Sequence, residues 1–273
     1  MIELLQITND PDFARRCDAM PGMRLFVDLE RHGKAERQAG RSTFISTHAP
    51  HDVGRIKAVL TRSRLMVRLN PLHADTPAEV DDALAQGADC LMLPMFRSAQ
   101  ELADFSRIVA GRAPIVPLLE TAQALSSLDE WIATPGLGEV FVGLNDLHLS
   151  LGCRFMFEPL AQGLIDRVAV AARRQGLPFG FGGIARLDEG ALPGRDVLAE
   201  HVRLGSGAVI LSRTFHRSDS PRAFEDEVAA LRQAEAALAL RTPAQQESDR
   251  LRVAAAVARI AADMAGRPQP GPP

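Results

Sequence analysis

Two short apolar stretches of this 273-residue chain each run into a carboxylate. Pro117-Leu118-Leu119 leads to Glu120, and Phe141-Val142-Gly143-Leu144-Asn145 leads to Asp146. Apolar runs of this length read as buried strands, and a parallel α/β protein places its chemistry at the C-terminal ends of strands. One helix-length segment separates the two acids, so they belong on neighbouring parallel strands at one rim. Two acidic oxygens meeting there suit a hard divalent cation, with water and substrate completing its coordination. On spacing alone, helix capping or an internal salt bridge stays open as the alternative.

A third group stands inside an apolar run: Arg68 in Leu65-Met66-Val67-Arg68-Leu69. A guanidinium in such a strand is costly unless paired. Its planar fork suits a carboxylate or oxyanion clamp, and a structural ion pair with Asp28, Glu30 or Glu120 is the alternative. Strand residues alternate faces, so Asp28 and Glu30 point the same way, as do Arg68 and Asn70 if their strand extends that far.

The elements that must position these groups alternate regularly. Apolar strand-like runs fall near 2–7, 24–29, 65–69, 90–94, 115–119, 140–144, 179–184 and 208–211. Helical patterns fall near 11–20, 52–60, 77–86, 99–110, 125–133, 158–175, 197–203 and 222–240, with a further short apolar piece at 44–47. About eight strand–helix units predict an α/β chain closed into a (β/α)8 TIM barrel. An open doubly wound sheet is disfavoured, because no GxGxxG turn follows the first strand. Residues 1–240 form the expected barrel domain. Residues 241–265 form a C-terminal helical extension, which could pack on a second subunit as a homo-oligomer or lie on its own barrel. The Gly/Pro-rich stretch 266–273 is expected to be a disordered tail.

Apolar residues make up 46% of the chain, enough for one large core, and 31 Lys plus Arg against 34 Asp plus Glu give a net charge of -3. That balance offers no basic excess for nucleic acid or an anionic membrane. No apolar run reaches the ~20 residues of a membrane span. The separated cysteines Cys17, Cys90 and Cys153 form no CxxC pair, and the first residues lack the form of a signal peptide, so a cytoplasmic protein is expected.

Candidate anion-binding groups lie in two places. One is the loop carrying Arg31, Lys34, Arg37 and Arg41; the other is Gly182-Gly183 after the seventh strand with Arg213 after the eighth, where many barrels hold phosphate. A solvated charged loop, and glycines that merely permit close packing, are the alternatives.

Several motifs taken together resemble the HpcH/HpaI aldolase and citrate lyase β-subunit family. They are Leu91-Met92-Leu93-Pro94-Met95-Phe96, Pro117-Leu118-Leu119-Glu120-Thr121 and Gly143-Leu144-Asn145-Asp146-Leu147-His148-Leu149-Ser150-Leu151-Gly152. Val67-Arg68-Leu69-Asn70 is similar to that family's strand-borne arginine, and Asp28-Leu29-Glu30 to its Asp-x-Glu. The match runs in order from about Met23 to Arg213. The resemblance implies a metal-dependent barrel that makes or breaks a carbon–carbon bond beside a 2-oxo acid or an acyl thioester. It implies Glu120 and Asp146 as ligands of a divalent ion, Mg2+ foremost, with Mn2+ or Co2+ as alternatives. Arg68 would contact the enolate or keto oxygen, and Asp28, Glu30, Asn70, Gly143 and Asn145 would line the substrate site. The partners implied are a small 2-oxo acid and an aldehyde, or acyl-coenzyme A. No Schiff-base lysine is needed, which suits a chain whose only lysines are Lys34 and Lys57.

The family's aldolase branch carries a histidine directly after the Asp-x-Glu. Here Arg31 stands in that place, followed by His32, while a similar His-Ala-Pro turn starts only at His48. His32 and His48 are therefore both candidate catalytic bases, beside a metal-bound hydroxide. The readings open at this point are an aldolase, a citrate-lyase-β-like thioester lyase, and a metal-binding barrel that lost its base.

Overall fold

A computed structural model of the chain describes residues 1–33, 47–216 and 222–265. Eight parallel strands close into a barrel in chain order: β1 (Glu3–Ile7), β2 (Met23–Asp28), β3 (Leu65–Arg68), β4 (Cys90–Leu93), β5 (Ile115–Leu119), β6 (Val140–Val142), β7 (Phe179–Ile184) and β8 (Ala208–Leu211). The pairing of β8 with β1 completes the ring. The fold is the expected (β/α)8 barrel with a C-terminal helix.

The two-residue period of the strands sorts the core into two layers. Leu5, Phe26, Met66, Cys90, Met92, Val116, Leu118, Phe141 and Ala208 fill the barrel interior. Leu25, Val27, Leu65, Val67, Leu91 and Leu119 point outward and pack beneath the helices. Extending the inward columns by two residues reaches charge. Phe26 leads up to Asp28, Met66 to Arg68, and Leu118 to Glu120. Downward from Phe26, Arg24 closes the floor by pairing with Glu3 and with Glu139 at 2.5 Å.

The structure differs from the expected elements in three places. β6 stops at Val142, and helix α1 (Leu144–Ser150) begins at once, so Asp146 sits in the first turn of a helix rather than at a strand end. A carboxylate is stabilised there by the helix dipole. The pattern over 125–133 divides into Ala122–Ser126 and Leu128–Trp131, the first capped by Thr121, whose Oγ1 accepts from Ala124 N at 3.1 Å. The pattern over 158–175 breaks into α2 (Glu158–Ala161) and α3 (Leu164–Arg174) around Gly163, whose φ of 76° a helix cannot contain.

The C-terminal helix, α4 (Pro243–Ala265), lies on its own barrel against α2 and α5 (Gly194–Leu204). It buries Val253, Val257 and Ala261 and pairs Arg252 with Asp196 at 2.7 Å. The expected tail at 266–273 and the piece at 44–46 lie outside the described residues. Among the described residues, no helix is long and apolar enough to cross a membrane.

Candidate active site

The inward columns of β2, β3 and β5 deliver their charges to one rim. Asp28 and Arg68 are direct cross-strand partners in the β2–β3 register. Arg68 donates from Nε to Asp28 Oδ1 and from Nη2 to Asp28 Oδ2, both at 2.8 Å, the two-pronged geometry that only a guanidinium supplies. Its Nη1 lies 3.4 Å from Glu30 Oε2, and the guanidinium carbon stands 5.7 Å from the centroid of the Phe26 ring below. Burial works against this charge, but Asp28 and Glu30 more than offset it and hold the guanidinium ionised well above its ordinary range. Asp28 uses two of Arg68's five N–H groups, so the far side of the fork keeps donors for an oxyanion.

Glu120 follows β5 directly and is buried. Its Oε1 accepts the N–H of Met95 at 2.9 Å. Met95 stands at φ 57°, a left-handed conformation costly for a side chain of its size, and that conformation carries the N–H that holds Glu120. Gly143, at the end of β6, leaves the room Glu120 needs: a Cβ there would stand 2.7 Å from Glu120 Oε2. Asp146 and Asn145 lie half-buried in the adjoining first turn of α1. Burial, then the charges of Glu30 and Asp146, push the Glu120 carboxyl well above the usual range, with Arg68 and the Met95 N–H opposing.

The charges of Asp28, Glu30 and Glu120 bear on Arg68 and that of Asp146 on Glu120, so four carboxylates meet at this rim, an arrangement that suits a hard cation. No three His, Cys, Asp or Glu among the described residues are grouped closely enough to hold an ion by themselves. A cation held by Glu120 and Asp146 would take its remaining positions from water and substrate oxygens, as an open catalytic site requires.

The two candidate histidines separate. His32 is exposed on the rim, its ring edge-on to His73 with centroids 4.6 Å apart. His48 is buried, and its Nδ1 accepts the N–H of Asp28 at 3.0 Å. The chain thus stands at Asp28 and Glu30 and again at His48, which returns to the backbone of Asp28. Asp52 fixes the return: its Oδ2 accepts from Ala49 N at 2.8 Å and from Asn9 Nδ2 at 3.3 Å. Burial alone would raise the Asp52 carboxyl, but these donors and Arg55 hold it below its ordinary value. The Asp28 bond assigns the His48 ring proton to Nε2, and the basic nitrogen is already engaged.

Asn70 is a clamp. Its Oδ1 accepts from Arg31 N at 2.8 Å and His32 N at 3.0 Å, while its Nδ2 donates to Glu79 Oε1 at 2.6 Å. Of the anion candidates, Lys34, Arg37 and Arg41 lie outside the described residues. Arg31 turns its Nη2 to the carbonyl of His48 at 2.8 Å. Gly182 (φ 50°) makes room for Leu144, whose Cδ1 a Cβ would meet at 2.9 Å, and Gly183 stands past a register shift of β7 on β8. Arg213 is exposed at the start of a 3-10 turn, Arg213–His216. Sequence reasoning missed Met95, Asp52 and Glu79. For Asp52 alone there was a local signal, an acid three residues beyond Ala49 at a helix start.

Comparison with known proteins agrees with the fold and gives the family. Residues 7–179 match the family model described as HpcH/HpaI aldolase/citrate lyase. A (3S)-malyl-CoA thioesterase of Cereibacter sphaeroides is 31% identical over 114 residues, 41% of this chain and 40% of that protein. A hydroxypyruvate/pyruvate aldolase of Rhizorhabdus wittichii is 32% identical over 93 residues, 32% of this chain and 36% of that protein. The aligned stretches thus span about two fifths of these relatives. The citrate lyase beta subunit from M. tuberculosis, in complex with oxaloacetate and magnesium, superposes with a TM-score of 0.59 at 19% identity, covering 86% of this chain and 96% of that one. At that identity the likeness speaks for the fold.

Proposed function

The chain belongs to the HpcH/HpaI aldolase/citrate lyase family, and from that premise we propose that it is an aldolase-type carbon–carbon lyase. It would cleave or form a bond next to a pyruvate-like 2-oxo acid, with an aldehyde as the second partner. The observation that carries this reading is the gathering of Asp28, Glu30 and Glu120 about Arg68, with Asp146 beside Glu120.

Glu120 and Asp146 would hold a divalent cation, Mg2+ foremost and Mn2+ or Co2+ as alternatives. When bound, it supplies charge neutralisation and polarises the 2-oxo acid. The chain's own groups do the rest. Arg68, held flat by Asp28, presents its outer N–H groups to the oxygen that becomes negative as the carbon–carbon bond breaks. Met95 N–H and the space at Gly143 fix the Glu120 carboxylate beforehand. His48 would keep its proton on Nε2, with Nδ1 held on the Asp28 N–H at the edge of the site. His32, Asn70, Asn145 and Glu30 border the space the substrate would occupy.

The test is direct. With Mg2+ or Mn2+, the protein should exchange the methyl protons of pyruvate for deuterium, and Glu120→Gln and Asp146→Asn should abolish both that exchange and metal binding. Unchanged metal affinity in these variants removes the site; no exchange in the wild type removes the pyruvate enolate. A second reading, a thioester lyase or hydrolase acting on acyl-coenzyme A, draws support from the similarity to the malyl-CoA thioesterase. Turnover of malyl-, citramalyl- or citryl-coenzyme A without activity on 2-oxo acids and aldehydes would favour it.

A further inference from the structure

We infer that Glu79 is a positioning residue for His48, acting through Asn70 and Arg31. The inference rests on the reading of His48 as a site residue. The chain passes Asn70 at Arg31 and His32 and stands at the Asp28 backbone again at His48, so the place of His48 depends on how these departing and returning ends are held. Asp52 secures the returning end. The departing end is secured by Asn70 Oδ1, which accepts two successive backbone N–H groups, of Arg31 and His32.

An amide that turns its oxygen to those donors leaves its nitrogen seeking an acceptor on the other side. Glu79 provides it. One carboxylate oxygen accepts from Asn70 Nδ2 at 2.6 Å, and the other from the Asn70 backbone N–H at 3.3 Å. The same carboxylate lies 3.1 Å from His73 Nε2, and the His73 ring packs on His32. With the Arg31 backbone set in this way, its guanidinium reaches across and donates to the His48 carbonyl at 2.8 Å. Each link is a hydrogen bond, and the last ends on the residue whose ring accepts the Asp28 N–H.

Nitrogen-15 NMR of the full chain labelled at histidine reads the His48 ring without substrate or metal. The wild type should show His48 as one tautomer, protonated at Nε2. In Glu79→Ala that signal should shift toward a mixture of tautomers. The pyruvate exchange rate should fall on the order of ten- to a hundredfold, as for lost supporting bonds at catalytic sites, with Mg2+ affinity retained. Glu79→Gln, which still accepts from Asn70 Nδ2, should fall between. Arg31→Met keeps the backbone bonds, removes only the last link, lies on an exposed side chain and should reproduce the His48 change. A wild-type His48 signal in folded Glu79→Ala or in Arg31→Met overturns the inference, as does a parallel loss of Mg2+ affinity. If the wild type exchanges no pyruvate protons, the functional reading fails, while the His48 signal still judges this one.

Discussion

Gly143 faces the Glu120 carboxylate so closely that a methyl group on it would lie 2.7 Å from Oε2 and 3.1 Å from Glu120 Cβ. Its φ of -85° is open to any residue, so backbone freedom does not explain the glycine; space does. Gly143→Ala should therefore fold at a modest cost, about 1–3 kcal/mol for overpacking, and displace the carboxylate. Calorimetric titration should show Mg2+ binding weakened by roughly tenfold or more. Wild-type affinity in a folded Gly143→Ala would separate Glu120 from the metal.

Arg68 pairs with the carboxylates of Asp28 and Glu30 and, on the proposed function, would also meet a substrate oxygen. Arg68→Ala takes the guanidinium from the buried Asp28 and Glu30 and should cost about 3–5 kcal/mol in urea unfolding. Arg68→Lys keeps the charge but loses the fork, so it should stay closer to wild type in stability while pyruvate exchange drops by roughly a hundredfold. Equal exchange in Arg68→Lys would show that charge alone suffices.

The histidines should part in function as they do in space. His32→Ala removes an exposed ring and should retain turnover within about threefold. His48→Ala removes the buried ring seated on Asp28 and should lose on the order of a hundredfold or more. Steady-state kinetics on the two single variants decides it, and the reverse ranking would move the site toward the outer rim.

A different histidine sets an acid limit on stability. His201 is fully buried, stacked on Phe181 at 3.7 Å, with Nδ1 2.8 Å from Ser206 Oγ. Burial pushes its ring down from 6.5 to about 3. Below the ordinary value the unfolded chain takes up a proton that the folded chain refuses. Stability is therefore complete above pH 6.5 and declines as pH falls toward 3. For one such group the loss between pH 7 and pH 5 is about 2 kcal/mol. His201→Gln should be less stable at pH 7, yet lose about 2 kcal/mol less than wild type on going to pH 5. Parallel pH curves in urea unfolding would contradict this.

The barrel was legible in the chain because buried parallel strands are short apolar runs and the helices between them keep a different period. Arg68 and Glu120 were legible for the same reason inverted: a charge at the end of such a run has no inexpensive explanation. The seating of Asp146 was less so, since Val140 to Leu144 is apolar throughout and periodicity cannot separate a strand from a helix start over five residues. The placement of His48 rather than His32 against Asp28 was not legible at all. It is made by Asn70 and Asp52, through bonds to the two ends of a polar stretch with no period of its own. The strained backbone of Met95 is likewise a tertiary fact, invisible in the residue's type.

Asp28, Arg68 and Glu120 are the top layer of the columns that fill the barrel, with Phe26, Met66 and Leu118 directly beneath. Core and site are thus one solid body without a seam. On the proposed function, the rotamers that would meet a substrate are fixed when the interior packs, so their ordering entropy would be settled at folding and would not weigh against binding. It also follows that a change of volume at Phe26, two residues from any charge in its strand, should register first as slower chemistry at Arg68 and only second as a lower melting temperature.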